Sequence, residues 1–404
     1  MSKFKDKQNH QATTPPCAQS TECVPCAVEA NEPFVRVAKR GIITVPHRVI
    51  VYIIGFILAL LVGALLLVII GKNPIAAYQS MVVGSFGTKT SAAETIRMSV
   101  PLLITGIAVA FAFKMKFWNI GGEGQILAGA ICASYVIMGS IHADNALSFW
   151  PLQILAFLAA IIGGGIFGFL PAYFKTKWGT NETLFTLMLN YIAIQYVVYL
   201  QQLRSWQHPR GSGYPKIINF RDFAPDSVPL PKVFGVHIGW IFALVIAVLA
   251  YFYLTKTKHG YEISVVGDSL NTARYAGMNT RWIQIRTLII SGALAGFVGY
   301  LQVCGADYTL TQTTAGGVGF TAITVAWLSK LNPFIMIPVS VFIGMLQKGA
   351  LAIQSTMKIP ASAADLLTGI ILFFMLGCEF FIEYRLIFRG RGKKQDVVAE
   401  EVSA

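Results

Sequence analysis

Three polar side chains, Asn119, Glu123 and Gln125, sit in the glycine-rich stretch Ile120-Gly121-Gly122-Glu123-Gly124-Gln125, between apolar runs at 99–113 and 126–138. One carboxylate and two amides there can accept and donate hydrogen bonds to a polar solute. A carboxylate near the centre of a membrane span costs roughly 2.5–3.5 kcal/mol on insertion scales, and is tolerated where it faces a bundle interior or a wet cavity. The glycines loosen any helix, and unwound backbone at that depth persists only where protein or cavity water satisfies it. Two readings follow: a broken helix lining a solute path, or a tight turn at the membrane surface marked by Lys114 and Lys116.

A second polar set opens another apolar run, Asn181-Glu182-Thr183-Leu184-Phe185-Thr186-Leu187-Met188-Leu189-Asn190-Tyr191. Glu182, Thr186 and Asn190 are spaced by four and share one helix face. That face can line a cavity, or can supply a helix cap and one interhelical hydrogen bond. A third stretch, from Val266-Gly267-Asp268-Ser269-Leu270-Asn271 through Arg274-Tyr275-Ala276-Gly277, is polar and lies between two apolar runs. Asp268 or Ser269 can cap a short helix through Tyr275 or Ala276, and Gly277 can end it in the left-handed conformation. Such a helix lies outside the membrane, as an interfacial connector or a docking element.

The elements that must position these groups are membrane helices. Of 404 residues 55% are hydrophobic and 13% charged, with mean hydropathy +0.60, too apolar for an ordinary soluble domain. The expected fold is all-α and polytopic, with about ten spans near 49–71, 97–114, 120–140, 150–174, 183–201, 234–255, 285–304, 317–329, 333–354 and 362–383, and one broken or re-entrant region at 118–126. The run 49–71 is 23 residues without a charge, enough for a hydrocarbon core of about 30 Å. Residues 1–45 read as a flexible cytoplasmic tail, 46–390 as the transmembrane domain and 391–404 as a second cytoplasmic tail. With the N-terminus inside, 22 of the 32 Lys and Arg fall on inner segments, which satisfies the positive-inside rule with both termini cytoplasmic.

Other chemistry is weakly represented. The net charge of +13 is spread over short loops and termini, not gathered on one face, so nucleic acid is not an expected partner. The six histidines are scattered and make no close ligand pair, and no span carries paired carboxylates at helical spacing, so no metal site and no catalytic residue is expected. Cys23-Val24-Pro25-Cys26, with Cys17 nearby, lacks a second ligand pair and reads as incidental. Gly164 with Gly168, and Gly292 with Gly296, have the spacing of close helix packing. Gly316-Gly317-Val318-Gly319 repeats the spelling of the first glycine cluster, which is weak evidence of an internal repeat.

Phe117-Trp118-Asn119-Ile120-Gly121-Gly122-Glu123-Gly124-Gln125, the 181–191 stretch and the 267–279 stretch occur in the order found in permease subunits of bacterial ABC importers of the basic-membrane-protein type. Over about 48–390 the chain resembles these nucleoside importers, relatives of ribose and other simple-sugar permeases. Trp118 stands where phenylalanine is usual, and Thr183 where a β-branched apolar residue is usual. The resemblance implies a permease in the bacterial plasma membrane, working by alternating access beside a second permease copy or paralogue and an extracytoplasmic substrate-binding lipoprotein that docks on 201–233 and 305–316. It implies a solute path lined by Phe117, Trp118, Asn119, Glu123, Gln125, Glu182, Thr186 and Asn190, with amides and carboxylate facing ribose hydroxyls and base edges and the aromatics stacking on a base. It implies a coupling helix, with Gly267, Asp268, Asn271, Arg274, Tyr275 and Gly277, seated on an ABC ATPase. No GxxxxGK[ST] loop is present, since Gly84-Ser85-Phe86-Gly87-Thr88-Lys89-Thr90 lacks the GK pair, so ATP and Mg belong to that partner and no cofactor to this chain. The alternatives are a permease for ribose or another simple sugar, and an ion-coupled secondary transporter with Glu123 as its proton site.

Overall fold

The computed structural model describes residues 35–39, 45–142, 147–207 and 215–388; the Cys17, Cys23 and Cys26 set lies outside them. Among the described residues four short strands, β1 (Val35–Lys39), β2 (Lys232–Val233), β3 (Val236–His237) and β4 (Tyr384–Phe388), pair antiparallel as β1 with β4 and β2 with β3. Two compact units are present among the described residues, one holding the β1–β4 ribbon, the other the residues from 45 to 383.

The second unit is helical. α1 (Val45–Ile69) displays Ile53, Ile57, Leu61 and Leu65 on an exposed face, the surface expected to meet lipid. α2 (Pro74–Phe86) opens with Asn73 accepting the Ile75 and Ala76 amide hydrogens and with Pro74 in its first turn. α3 (Lys89–Lys114) is buried continuously from Ser99 to Phe113, and a helix that is apolar all round belongs at the centre of the bundle. α4 (Gly122–His142), α5 (Phe149–Trp178) and α6 (Glu182–Gln202) follow. The short α7 (Phe220–Phe223) and the β2–β3 hairpin precede α8 (Gly239–Lys256). α9 (Lys258–Asp268) and α10 (Leu270–Tyr275) lead into α11 (Thr280–Leu301), which continues as a π-turn at Gln302–Ala306. α12 (Val318–Leu328), α13 (Pro333–Met357) and α14 (Ala361–Glu383) complete the unit.

Among the described residues nine helices are long and apolar enough to cross a membrane, and the chain is a polytopic all-α membrane protein. The stretch expected as an eighth span, 317–329, forms α12 instead; its 11 residues reach only about 16 Å. α5 and α11 cross at the glycines picked out by their spacing: a Cβ added to Gly164 would lie 2.3 Å from the Gly292 oxygen. Only glycine lets those two backbones touch.

Candidate functional site

After α3 ends at Lys114, the chain does not leave the bundle. Lys116 takes a left-handed φ of +55°, Phe117 is buried, and residues 117–121 run back alongside α3 and α11. The Asn119 amide reaches Ser291 Oγ at 3.5 Å, and that hydroxyl donates to the Ala108 carbonyl at 2.6 Å. A Cβ on Gly122 would touch Thr105 Cγ2 at 3.5 Å. Thr105 precedes Lys114 by nine residues, about 13 Å along α3, so α4 starts well inside the bundle. Of the two readings of 118–126, the break within the bundle is the one the chain adopts, and the surface turn is not.

Five of the sequence-selected residues meet there. Asn119 and Gln125 exchange amide hydrogen bonds at 3.3 Å, and Asn119 Oδ1 accepts the Gly121 N–H at 3.0 Å. Asn190 bridges α6 to this segment, accepting from Gly124 N–H at 2.8 Å and donating to the Ile120 carbonyl at 3.0 Å. Thr186 Oγ1 accepts the Ile120 N–H at 3.3 Å while donating to Glu182 O at 2.8 Å. Glu123 takes the Gly317 N–H on Oε1 at 2.8 Å and the Gly319 N–H on Oε2 at 2.9 Å. These five residues are all buried, Glu123 to 6% exposure.

The two glycine clusters that share a spelling are thus in contact. A Cβ on Gly319 would fall 2.1 Å from the Glu123 nitrogen, so the N-termini of α4 and α12 converge. Each N-terminus carries unsatisfied amides and about half a positive charge. Glu123, in the first turn of α4 and hydrogen-bonded to the first amides of α12, compensates both. The remaining three path candidates lie apart from this knot. Phe117 is buried, Glu182 pairs with Lys175 at 2.6 Å, and Trp118, 47% exposed, stacks on Trp327 with centroids 5.9 Å apart.

At the end of the bundle where α3 finishes, α9 and α10 form a ledge. Ser269, not Asp268, caps α10 by accepting the Thr272 N–H at 3.2 Å, and Gly277 ends the turn with φ +74°. Ala273 is buried and anchors the helix, whereas Asp268, Asn271, Arg274 and Gly277 are exposed and Tyr275 is 93% exposed. A Cβ on Gly267 would lie 2.1 Å from the Lys114 carbonyl, so the ledge presses on the residue from which the chain turns back toward Asn119. α9, which places this contact, was not anticipated from the sequence, although Thr257 accepting the Gly260 N–H marks its start.

Sequence reasoning also missed a polar cavity of about 200 Å³ at the opposite end of the bundle, lined by Arg97 of α3, Gln302, Asp307, Thr313 and Gln347 of α13, with Gly316 and Val318 beside it. Its residues come from three distant segments, and only the presence of Arg97 and Asp307 at the edges of apolar runs could have drawn attention to them. Nearby, His237 accepts the Gly239 N–H on Nδ1 at 3.2 Å and is 2% exposed. Burial first, then the Arg97 and Lys232 charges, pushes its imidazole down to about 4. Among the described residues no group of three or more His, Cys, Asp or Glu side chains is placed to hold a metal ion.

A family model described as branched-chain amino acid transport system / permease component matches residues 91–376. A guanosine ABC transporter permease protein of Bacillus subtilis is 32% identical over 76% of this chain and 86% of its own length. A nucleoside ABC transporter permease protein of Lactococcus lactis is 30% identical, over 78% and 87%. A glucose ABC transporter permease protein of Haloferax volcanii is 29% identical, over 78% and 83%. The glycine break, the polar face of α6 and the α9–α10 ledge all fall within the matched residues, and the chain belongs to this family of membrane-spanning permease components.

Proposed function

We propose that this chain is the permease subunit of an ATP-driven importer and forms the membrane path for nucleosides. The observation that carries the reading is the pair of relatives named as guanosine and nucleoside permeases, 32% and 30% identical over about three quarters of the chain. The exposed Tyr275 and Asn271 of α10, beside the buried Ala273, support this helix as the contact for an ATPase subunit. ATP and Mg belong to that subunit, and this chain supplies no catalytic group. A second permease, identical or paralogous, and an extracytoplasmic binding lipoprotein complete the complex, in the plasma membrane of a bacterium. The excess of Lys and Arg on one set of loops supports a cytoplasmic position for the ledge and both termini.

The proposed coupling has a continuous route through the chain. Movement of α10 acts through Gly267 on the Lys114–Met115 turn, which continues into 117–121. Asn119, Asn190 and Glu123 link that segment to α6 and to the N-terminus of α12, whose first residues border the opposite cavity. A shift at the ATPase thereby changes access from the other side, by alternating access. Solute lining by the knot is tested by Gln125→Cys, which leaves Glu123 in place: labelling that changes with transport state supports path lining, and labelling independent of state contradicts it.

A second reading, transport of a simple sugar, is favoured by the relative named as a glucose permease. Uptake of labelled guanosine by cells expressing the complete importer separates the two. Competition by unlabelled uridine but not by ribose or glucose is the expected result; competition by the sugars alone overturns the nucleoside reading.

A further inference from the structure

The cavity at the end opposite α10 has features that packing alone does not require. The π-turn at Gln302–Ala306 is closed by the Asp307 N–H donating to the Gln302 carbonyl at 2.8 Å, and brings both side chains to the cavity wall. Such turns occur frequently at functional sites. The Asp307 carboxylate is exposed and makes no hydrogen bond or ion pair among the described residues, nor does the Gln347 amide. Arg97 pairs with Glu94 through Nη2 at 2.7 Å, but its buried Nε has no partner. Of these cavity-wall groups, Arg97 Nε is the one buried without a partner, an arrangement rarely retained in a packed interior, while the Asp307 carboxylate and the Gln347 amide remain open to the cavity.

Their chemistry selects a ligand class. The wall carries one guanidinium and one carboxylate, so the cavity favours neither a cation nor an anion. Paired acceptor and donor side chains instead suit a neutral polyol, because a carboxylate can accept from both hydroxyls of a vicinal diol while amide and guanidinium N–H groups donate to their oxygens. A volume of about 200 Å³ lies below the usual 300–1,000 Å³ of pockets for drug-sized ligands, which fits a pentose ring with an aromatic base left in the opening.

We infer that this cavity is a binding station for the ribose of an incoming nucleoside, with Asp307 gripping the 2′,3′-diol and Arg97, Gln347 and Thr313 completing its hydrogen bonds. The inference rests on the nucleoside reading above and adds where, and by which atoms, the permease itself recognises its substrate. The loop that borders the cavity holds Gly316 and Gly317 in left-handed conformations, φ +58° and +74°, and presents Gly317 N–H to Glu123. Occupancy is thus felt directly at the knot.

The test uses cells carrying the complete importer, with labelled guanosine as substrate and guanosine or 2′,3′-dideoxyguanosine as unlabelled competitor. Asp307→Asn is expected to raise the guanosine KM about tenfold, leave dideoxyguanosine competition nearly unchanged and so collapse the preference for the diol. The lipoprotein is the same in both strains, so the change belongs to the permease. Gln347→Leu, in a separate strain, is expected to shift the preference in the same direction by about threefold and serves if Asp307→Asn fails to assemble. Unchanged preference in assembled variants, or equal weakening of both ligands, overturns the ribose station alone. Absence of nucleoside uptake by the unaltered importer overturns the parent reading, and this inference with it.

Discussion

Glu123 holds two helix N-termini together from a single position. Its carboxylate receives two backbone N–H groups of α12 while its own backbone lies in the first turn of α4. Hydrogen bonds to a charged group contribute roughly 1.5–3 kcal/mol each. Glu123→Ala is therefore expected to destabilise the fold by about 3–5 kcal/mol, and Glu123→Gln, which keeps one acceptor oxygen, by about half of that. Thermal unfolding of the detergent-solubilised protein measures both; equal loss for Ala and Gln would contradict the assignment. His237 gives a pH signature at the same scale. Its folded value of about 4 lies below its ordinary 6.5, so the unfolded chain takes up the proton first as pH falls. The stability associated with the neutral ring is present above about pH 6.5 and is lost progressively toward pH 4. Melting temperature is expected to fall across that window in the unaltered protein and less steeply in His237→Gln.

At the scale of elements, substitutions in the ledge and at the break test the proposed coupling and the stability of the bundle separately. Asn271 and Tyr275 of α10 are exposed and contribute little packing, so Asn271→Ala with Tyr275→Ala is expected to leave the melting temperature within a few degrees. Substrate-stimulated ATPase activity and uptake of the assembled complex are expected to fall at least tenfold; unchanged values would show that coupling lies elsewhere. Gly319→Ala tests the convergence of α4 and α12. The added methyl meets backbone at 2.1 Å, and neither helix can yield without breaking the Glu123 bonds. Loss of folded protein is expected, whereas normal expression and melting would show that the two N-termini are not in contact.

Hydropathy made the long helices legible, and the Ser269 and Gly277 pattern made α10 legible almost to the residue. Depth was not legible, because apolarity reports that a segment avoids water and not how far it travels. That is why 317–329 reads as a span although α12 is only 11 residues long. Asn73 followed by Pro74 is a helix-start signal that could have revealed α2. The partners of Glu123 carry no side-chain signature at all, being backbone amides 194 and 196 residues further along the chain. The two matching glycine clusters were visible in the sequence, but only folding places them against each other.

For the whole molecule, the proposed mechanism has an ATPase partner acting on α10, with the movement reaching the far side through Gly267, the re-entrant segment and Glu123. The competing scheme is an ion-coupled carrier, in which Glu123 releases and binds protons. The carboxylate oxygens of Glu123 instead each accept a backbone N–H at the start of α12, from Gly317 and Gly319, which favours the charged form. The most direct test is guanosine uptake into proteoliposomes holding the assembled importer and its binding lipoprotein, with ATP supplied on the ATPase side. Accumulation that requires hydrolysable ATP, persists when proton and sodium gradients are collapsed, and disappears with Asn271→Ala and Tyr275→Ala is the expected result. Accumulation by this chain alone, driven by an ion gradient without ATP, would contradict the account.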